Sequence, residues 1–258
     1  MSLLDRAIVK AYRETHSQPV SRPQPAAVEP VPAAIPPANP QAVEPVEPVA
    51  RGWNWPRITQ QLLNQSEAGF QHLARQLLGS AAERHEKCVA FFGTTRGEGC
   101  SSVLLTLAHV LARLKQPRIL LVDADLEHPS LWSQLQPGTA STHKALPAAA
   151  NRPLMLSGSN VCVLAPVEKT APDHIPEHLS RLTGTLAEVR DQFDLILIDA
   201  GVLVQDQTIR NSWLEANINA AIAVISSRQR TASSLESDED RRWTEAGISW
   251  LGMIETFA

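Results

Sequence analysis

Hydrophobic positions divide the 258-residue chain into three zones of different period. In residues 1–16, Leu4, Ile8 and Ala11 or Tyr12 recur at helical spacing, with Asp5, Arg6, Lys10 and Arg13 on the other side, which predicts a short amphipathic helix. Alone, such a helix is too short to be stable. Residues 17–52 carry ten of the chain's 19 prolines, mixed with Ala, Val and Glu, and predict a disordered, semi-extended polyproline-like tether. Ordered patterning resumes near Trp53 and Trp55, and Leu62, Leu63, Phe70, Leu73, Leu77 and Leu78 predict a helix over 58–78.

From there apolar runs alternate with helical patterns, the rhythm of a parallel sheet covered on both faces. The runs predict strands at Cys88–Phe92, Arg118–Val122, Val161–Ala165, Leu195–Ile198, Ala220–Ile225 and Ser249–Ile254. Helices are predicted over 101–114, 178–190, 207–217 and 233–246, and residues 136–159 read as a long loop or a short helix. The expected fold is therefore α/β, with one mostly parallel sheet over residues 53–258. A hydrophobic content of 43% is enough for one sizeable core.

Charge and cysteine usage narrow the function classes. A net charge of -4 gives no basic footprint for nucleic acid. Three cysteines, odd in number and outside any CxxC spacing, indicate neither a disulfide framework nor a zinc site. No apolar run reaches membrane-spanning length and the N-terminus has no hydrophobic signal core, so the expected compartment is the cytoplasm.

Between the first predicted strand and the helix after it runs Gly93-Thr94-Thr95-Arg96-Gly97-Glu98-Gly99-Cys100-Ser101-Ser102. It has the frame of a phosphate-binding loop, GxxxxGK[ST], with Cys100 in the lysine's place. In such a loop backbone N–H groups and a helix N-terminus face a polyphosphate, and Ser101 can offer its hydroxyl to magnesium. These ten residues are the nucleotide-binding candidates of a P-loop NTPase-like domain. The absent ammonium would contribute roughly 4 kcal/mol at 4 Å in an effective dielectric near 20. Losing a comparable donor in a transition state costs about 2.7 to 4 kcal/mol, so turnover suffers more than binding. A helix N-terminus also favours thiolate, which makes Cys100 a reactive-thiol candidate, although a small neutral replacement is the plainer reading.

Two further strands end in carboxylates, where an open α/β sheet binds ligands. Leu121-Val122-Asp123-Ala124-Asp125 and Leu197-Ile198-Asp199 place Asp123, Asp125 and Asp199 as magnesium-side candidates, with Asp123 and Asp125 as catalytic candidates and Ser101, Asp123 and Asp199 as the metal set.

Together these motifs resemble bacterial tyrosine kinases of the capsular and exopolysaccharide type, within the deviant Walker P-loop superclass that includes the septum-site and partition ATPases. Residues 96–102 are similar to the family's PGEGKST, 121–129 to LIDADLRRP and 193–199 to YDxIIID. The resemblance spans about Ser66 to Thr256, and Met1-Ser2-Leu3-Leu4-Asp5-Arg6 resembles an N-terminal peptide of kinases attached to exopolysaccharide loci. It implies ATP and magnesium as cofactors, a membrane-associated polysaccharide chain-length or export protein as partner, homo- or hetero-oligomers, and a cytoplasmic place at the inner face of the membrane. The chain departs from the family at several positions. Cys100 replaces the lysine, Thr95 stands near a signature lysine, and Thr256 falls about where a base-contacting asparagine lies. Gln71 and Ala74 lie where an oligomerisation motif has arginines, and Tyr12 is the single tyrosine where the family carries a C-terminal cluster. The leading expectation is a degenerate kinase-fold regulator or scaffold of exopolysaccharide synthesis and export, with weak or absent ATP turnover. An active enzyme using Arg96 as the cation and an interaction module with a vestigial pocket are the alternatives.

Overall fold

The computed structural model describes residues 53–114, 117–135, 154–156, 159–164, 169–203, 208–227 and 232–256. The expected N-terminal helix and tether lie outside these residues. The described chain runs α1 (Arg57–Arg84), β1 (Cys88–Gly93), α2 (Cys100–Arg113), β2 (Ile119–Asp123), α3 (Leu131–Leu135), β3 (Leu154–Met155), β4 (Val161–Leu164), α4 (Ile175–Val189), β5 (Leu195–Val202), α5 (Thr208–Asn217), β6 (Ala220–Ser226), α6 (Ala232–Glu245) and β7 (Ser249–Thr256).

The seven strands form one sheet in the order β3-β4-β2-β5-β1-β6-β7. Six are parallel, and β3 closes one edge antiparallel to β4. Strand residues alternate between faces, so one apolar run feeds two cores. Val89, Phe91, Ile119, Leu121, Leu195 and Leu197 pack with α1, α2 and α3. Cys88, Ala90, Phe92, Leu120, Val122, Ile196 and Ile198 point the other way, against α4, α5 and α6. Trp213, Trp243 and Trp250 belong to that second core, in keeping with a packing role.

Every strand and helix predicted beyond residue 53 forms, with ends displaced by a few residues. The largest displacement is at α1, which runs six residues beyond the expected Leu78 and kinks at Ser66 (φ -153°, ψ 52°). Two elements were not expected. One is α3, a short helix directly after the Asp-x-Asp segment. The other is β3, inside the stretch read as a long loop or a short helix. At the N-terminal edge, Trp53 meets Trp55 edge-on with ring centroids 5.2 Å apart, and Trp55 stacks on His109 of α2 at 4.8 Å. The Asn54 N–H donates to the Leu135 carbonyl, so this edge is fixed to both α2 and α3.

The candidate phosphate loop and its carboxylates

The loop lies between the central strand β1 and α2. Gly97 (φ 85°) and Gly99 (φ 87°) hold left-handed backbone that side chains disfavour, and this conformation turns the chain from strand to helix. Gly99 at the N-cap of α2 has no side chain to cap the helix, and the first N–H groups of a helix have no intrahelical acceptor. An uncapped first turn at the end of a buried strand suits an anion.

The loop is braced from beneath by Glu98, which is 3% exposed. Its carboxyl oxygens accept the Thr94 and Thr95 N–H groups at 2.6 and 2.8 Å and the Thr94 hydroxyl at 3.0 Å. The Ser226 N–H at the end of β6 donates to it at 3.4 Å. Its own backbone carbonyl accepts the Thr256 hydroxyl from β7 at 2.6 Å. A Cβ on Gly93 would come 2.8 Å from the Glu98 carboxyl, so glycine at 93 makes room for the brace. Counted back from Gly99-Cys100-Ser101, the first glycine of GxxxxGK[ST] falls on Thr94 rather than Gly93. Sequence reasoning placed Glu98 among residues facing a nucleotide; its side chain instead points into the fold.

Asp123 and Asp199 are paired across β2 and β5. Asp123 accepts N–H groups from Ser130, Leu131 and Asp125 at 2.8, 3.0 and 3.2 Å. Asp199 accepts the Gly201 N–H at 3.1 Å and the Cys100 thiol at 3.5 Å, and the Ser101 hydroxyl adds a further bond. Ser130 donates its own hydroxyl to Ser101 at 2.8 Å. Burial, reinforced by the neighbouring Asp199 charge, pushes Asp123 up to about 8. Burial also raises Asp199. The Cys100 thiol is pushed well above its ordinary value, first by burial and then by Asp199. This favours the plainer reading, a small neutral residue, over the reactive thiol: next to Asp199, Cys100 is a protonated hydrogen-bond donor, and the helix N-terminus does not prevail.

The third aspartate is positioned differently. Asp125 faces Arg210 of α5, whose guanidinium reaches its carboxylate at 3.3 Å, Glu127 at 3.5 Å and the Val202 carbonyl at 3.3 Å. Arg210 is 5% exposed and ties the Asp-x-Asp segment to the end of β5. Gly201 (φ 64°) completes the junction, because a Cβ there would lie 2.4 Å from the Asp125 carboxylate. The Asp123, Asp125 and Asp199 set thus divides into a pair beside Ser101 and a third member in an ion pair. Nothing local in the sequence links Arg210 to Asp125, which is 85 residues away. Arg96 is exposed on the loop, and among the described residues no arginine or lysine side chain bonds to Asp123 or Asp199. Thr256 is buried, with its hydroxyl spent on the Glu98 and Ile225 carbonyls. His128 is exposed.

No family model and no curated protein matches the chain. Solved structures do match. The BceF tyrosine kinase domain is 18% identical with a TM-score of 0.58, covering 83% of this chain and 92% of that one. The kinase domain of the Escherichia coli tyrosine kinase ETK is 19% identical with a TM-score of 0.58, covering 74% and 75%. The VpsO kinase domain is 19% identical with a TM-score of 0.56, covering 77% and 98%. The chain has the fold of bacterial tyrosine kinase domains, and at these identities the likeness is one of fold.

Proposed function

We propose that this is a degenerate kinase-fold P-loop protein that regulates or scaffolds exopolysaccharide or capsule synthesis and export, binding nucleotide weakly and turning it over slowly or not at all. One observation carries the reading. Where a phosphate-loop lysine would put an ammonium, Cys100 puts a neutral thiol, and that thiol is bonded to Asp199. The surrounding carboxylates then have no lysine to offset them as a triphosphate approaches.

The donor set still fits a hard divalent cation. Ser101, Asp123 and Asp199 offer a hydroxyl and two carboxyl groups side by side, and magnesium favours a few such oxygens while keeping its waters. Magnesium held there by Ser101, Asp123 and Asp199 would supply the positive charge that offsets the carboxylates and a phosphate. The uncapped first turn of α2 and the loop's N–H groups would hold the phosphates, with Glu98 keeping the loop in shape.

Using Arg96 as the replacement cation requires it to fold back from solvent over the loop. The pathway, a membrane-associated chain-length or export partner, and a cytoplasmic site beside the membrane are supported by the motif resemblance together with the kinase-domain fold. No described helix is long and apolar enough to cross a membrane.

Phosphate release from the purified full chain with magnesium and ATP, paired with titration of a fluorescent ATP analogue, tests the proposal. The expected result is weak binding with release at background. Release comparable to that of an intact kinase domain would refute it, and if Arg96→Ala abolished that release, the active-enzyme reading would replace it.

A further inference from the structure

A groove of about 260 Å³ opens between α1 and α2, lined by Gln71, Ala74, Arg75, Val110, Arg113 and Leu114. Leu114 is 46% exposed, unusual for a leucine in a fold whose other leucines are largely buried. Arg75 is exposed, and its guanidinium bonds to the Gln71 amide oxygen, with no carboxylate partner among the described residues. Arg113 is held at 2.8 Å by Glu67, also at the surface. The groove therefore offers apolar floor and edge with net positive charge, which suits an extended segment that is both apolar and acidic.

The chain carries such a segment close by. Residues 43–49 read Val-Glu-Pro-Val-Glu-Pro-Val, and no lysine or arginine occurs between Arg22 and Arg51. A polyproline II helix repeats every three residues, at about 3.1 Å each. That period aligns Val43, Val46 and Val49 along one edge and Glu44 and Glu47 along the next, so one face can meet Val110 and Leu114 while the other meets the arginines.

Distance permits the contact. The described chain starts at Trp53, which packs on Trp55, and Trp55 stacks on His109. From His109 to Leu114 is about 7 Å along a helix rising 1.5 Å per residue. The four links from Val49 to Trp53 span up to about 14 Å. So short a connection gives the segment a millimolar effective concentration at the groove, enough for contacts that would be weak between separate molecules.

We infer that residues 43–49 of the tether dock in the α1–α2 groove of their own chain, with their valines on Val110 and Leu114 and Glu44 and Glu47 facing Arg75 and Arg113. Docking would shorten the free tether to the residues before 43 and fix where the N-terminal helix is launched from the domain.

The test is photo-crosslinking of the full chain with p-benzoylphenylalanine in place of Val46, read by peptide mapping. Crosslinks are expected within one chain, onto residues 71–75 and 110–114. Arg75→Glu should cut their yield by about fivefold, the upper scale of one surface ion pair. Adding a single reversal to Arg75→Glu, Glu44→Arg in one variant and Glu47→Arg in another, should restore it in the variant whose new arginine faces position 75, Arg113 keeping the other glutamate. Arg75 is exposed, so its reversal should leave the thermal midpoint in place and the comparison valid. Crosslinks that join two chains, land elsewhere on the domain, or ignore the charge reversals would each overturn the inference.

Discussion

Individual residues decide what the loop can do. Glu98 has the largest structural task, because its carboxyl group satisfies two loop N–H groups and a hydroxyl in a buried setting. Glu98→Ala strands those donors at a cost of about 1–3 kcal/mol, or more if several stay unpaired. In a domain of this size thermal unfolding should drop by roughly 2–12 °C, at about 2–4 °C per kcal/mol, with Glu98→Gln losing less. An unchanged midpoint would show that the brace is dispensable. Gly201→Ala should destabilise too, since it combines a positive φ with a Cβ 2.4 Å from the Asp125 carboxylate. Urea midpoints compare the two. The aspartate pair sets a pH dependence. Asp123 is about 8 in the fold against an ordinary 3.8, so above 3.8 the folded state holds a proton that the unfolded state releases. Its contribution to stability falls as pH rises from about 4 to about 8, and Asp199 acts in the same direction. Magnesium must displace those protons, so its stabilising shift in thermal unfolding should be larger at pH 8.5 than at pH 6. A shift independent of pH would mean that the ion binds elsewhere.

At the scale of elements, α2 links the site to the N-terminal edge, because its first turn forms the loop and His109 on the same helix stacks on Trp55. Burial, with help from Arg113, lowers the His109 pKa from its ordinary 6.5. Below about 6.5 the unfolded chain takes up a proton that the folded chain resists, so stability should fall as the solution is acidified. His109→Phe keeps the stack without the titration. It should flatten the acid side of the stability profile between pH 5 and 7, measured by urea unfolding, and a profile unchanged from the parent chain would contradict that assignment. The elements themselves were legible because their signals are local: Val89 to Phe92 and Leu195 to Ile198 are uninterrupted apolar runs of strand length. The α3 helix was missed because Leu131-Trp132-Ser133-Gln134-Leu135 is too short to show a period, and its start is fixed by Asp123 accepting the Ser130 and Leu131 N–H groups. The two-residue β3 is likewise fixed by pairing with β4.

For the whole molecule, a sheet order that sets β5 between β2 and β1 brings the glycine loop, Asp123 and Asp199 to the ends of three adjacent strands. That convergence was visible in advance, since each motif ends its own strand. Three other features were not: the inward turn of Glu98, the Asp125–Arg210 pair and the capture of Thr256 by the loop. The last two depend on residues 85 and 158 positions apart, where spacing carries no information. The first is a local contact that the loop motif does not mark, because it specifies glycines rather than the direction of the side chain between them. What emerges is the proposed phosphate loop, braced by Glu98, lined by carboxylates and carrying a thiol where the GxxxxGK[ST] motif has a lysine. The direct measurement is magnesium-ATP affinity of Cys100→Lys beside the parent chain, by equilibrium titration at matched pH and salt. A gain of about tenfold or more is expected, equivalent to at least 1.4 kcal/mol. Equal affinity in the two proteins, with Cys100→Lys folded to the same thermal midpoint, would contradict the account.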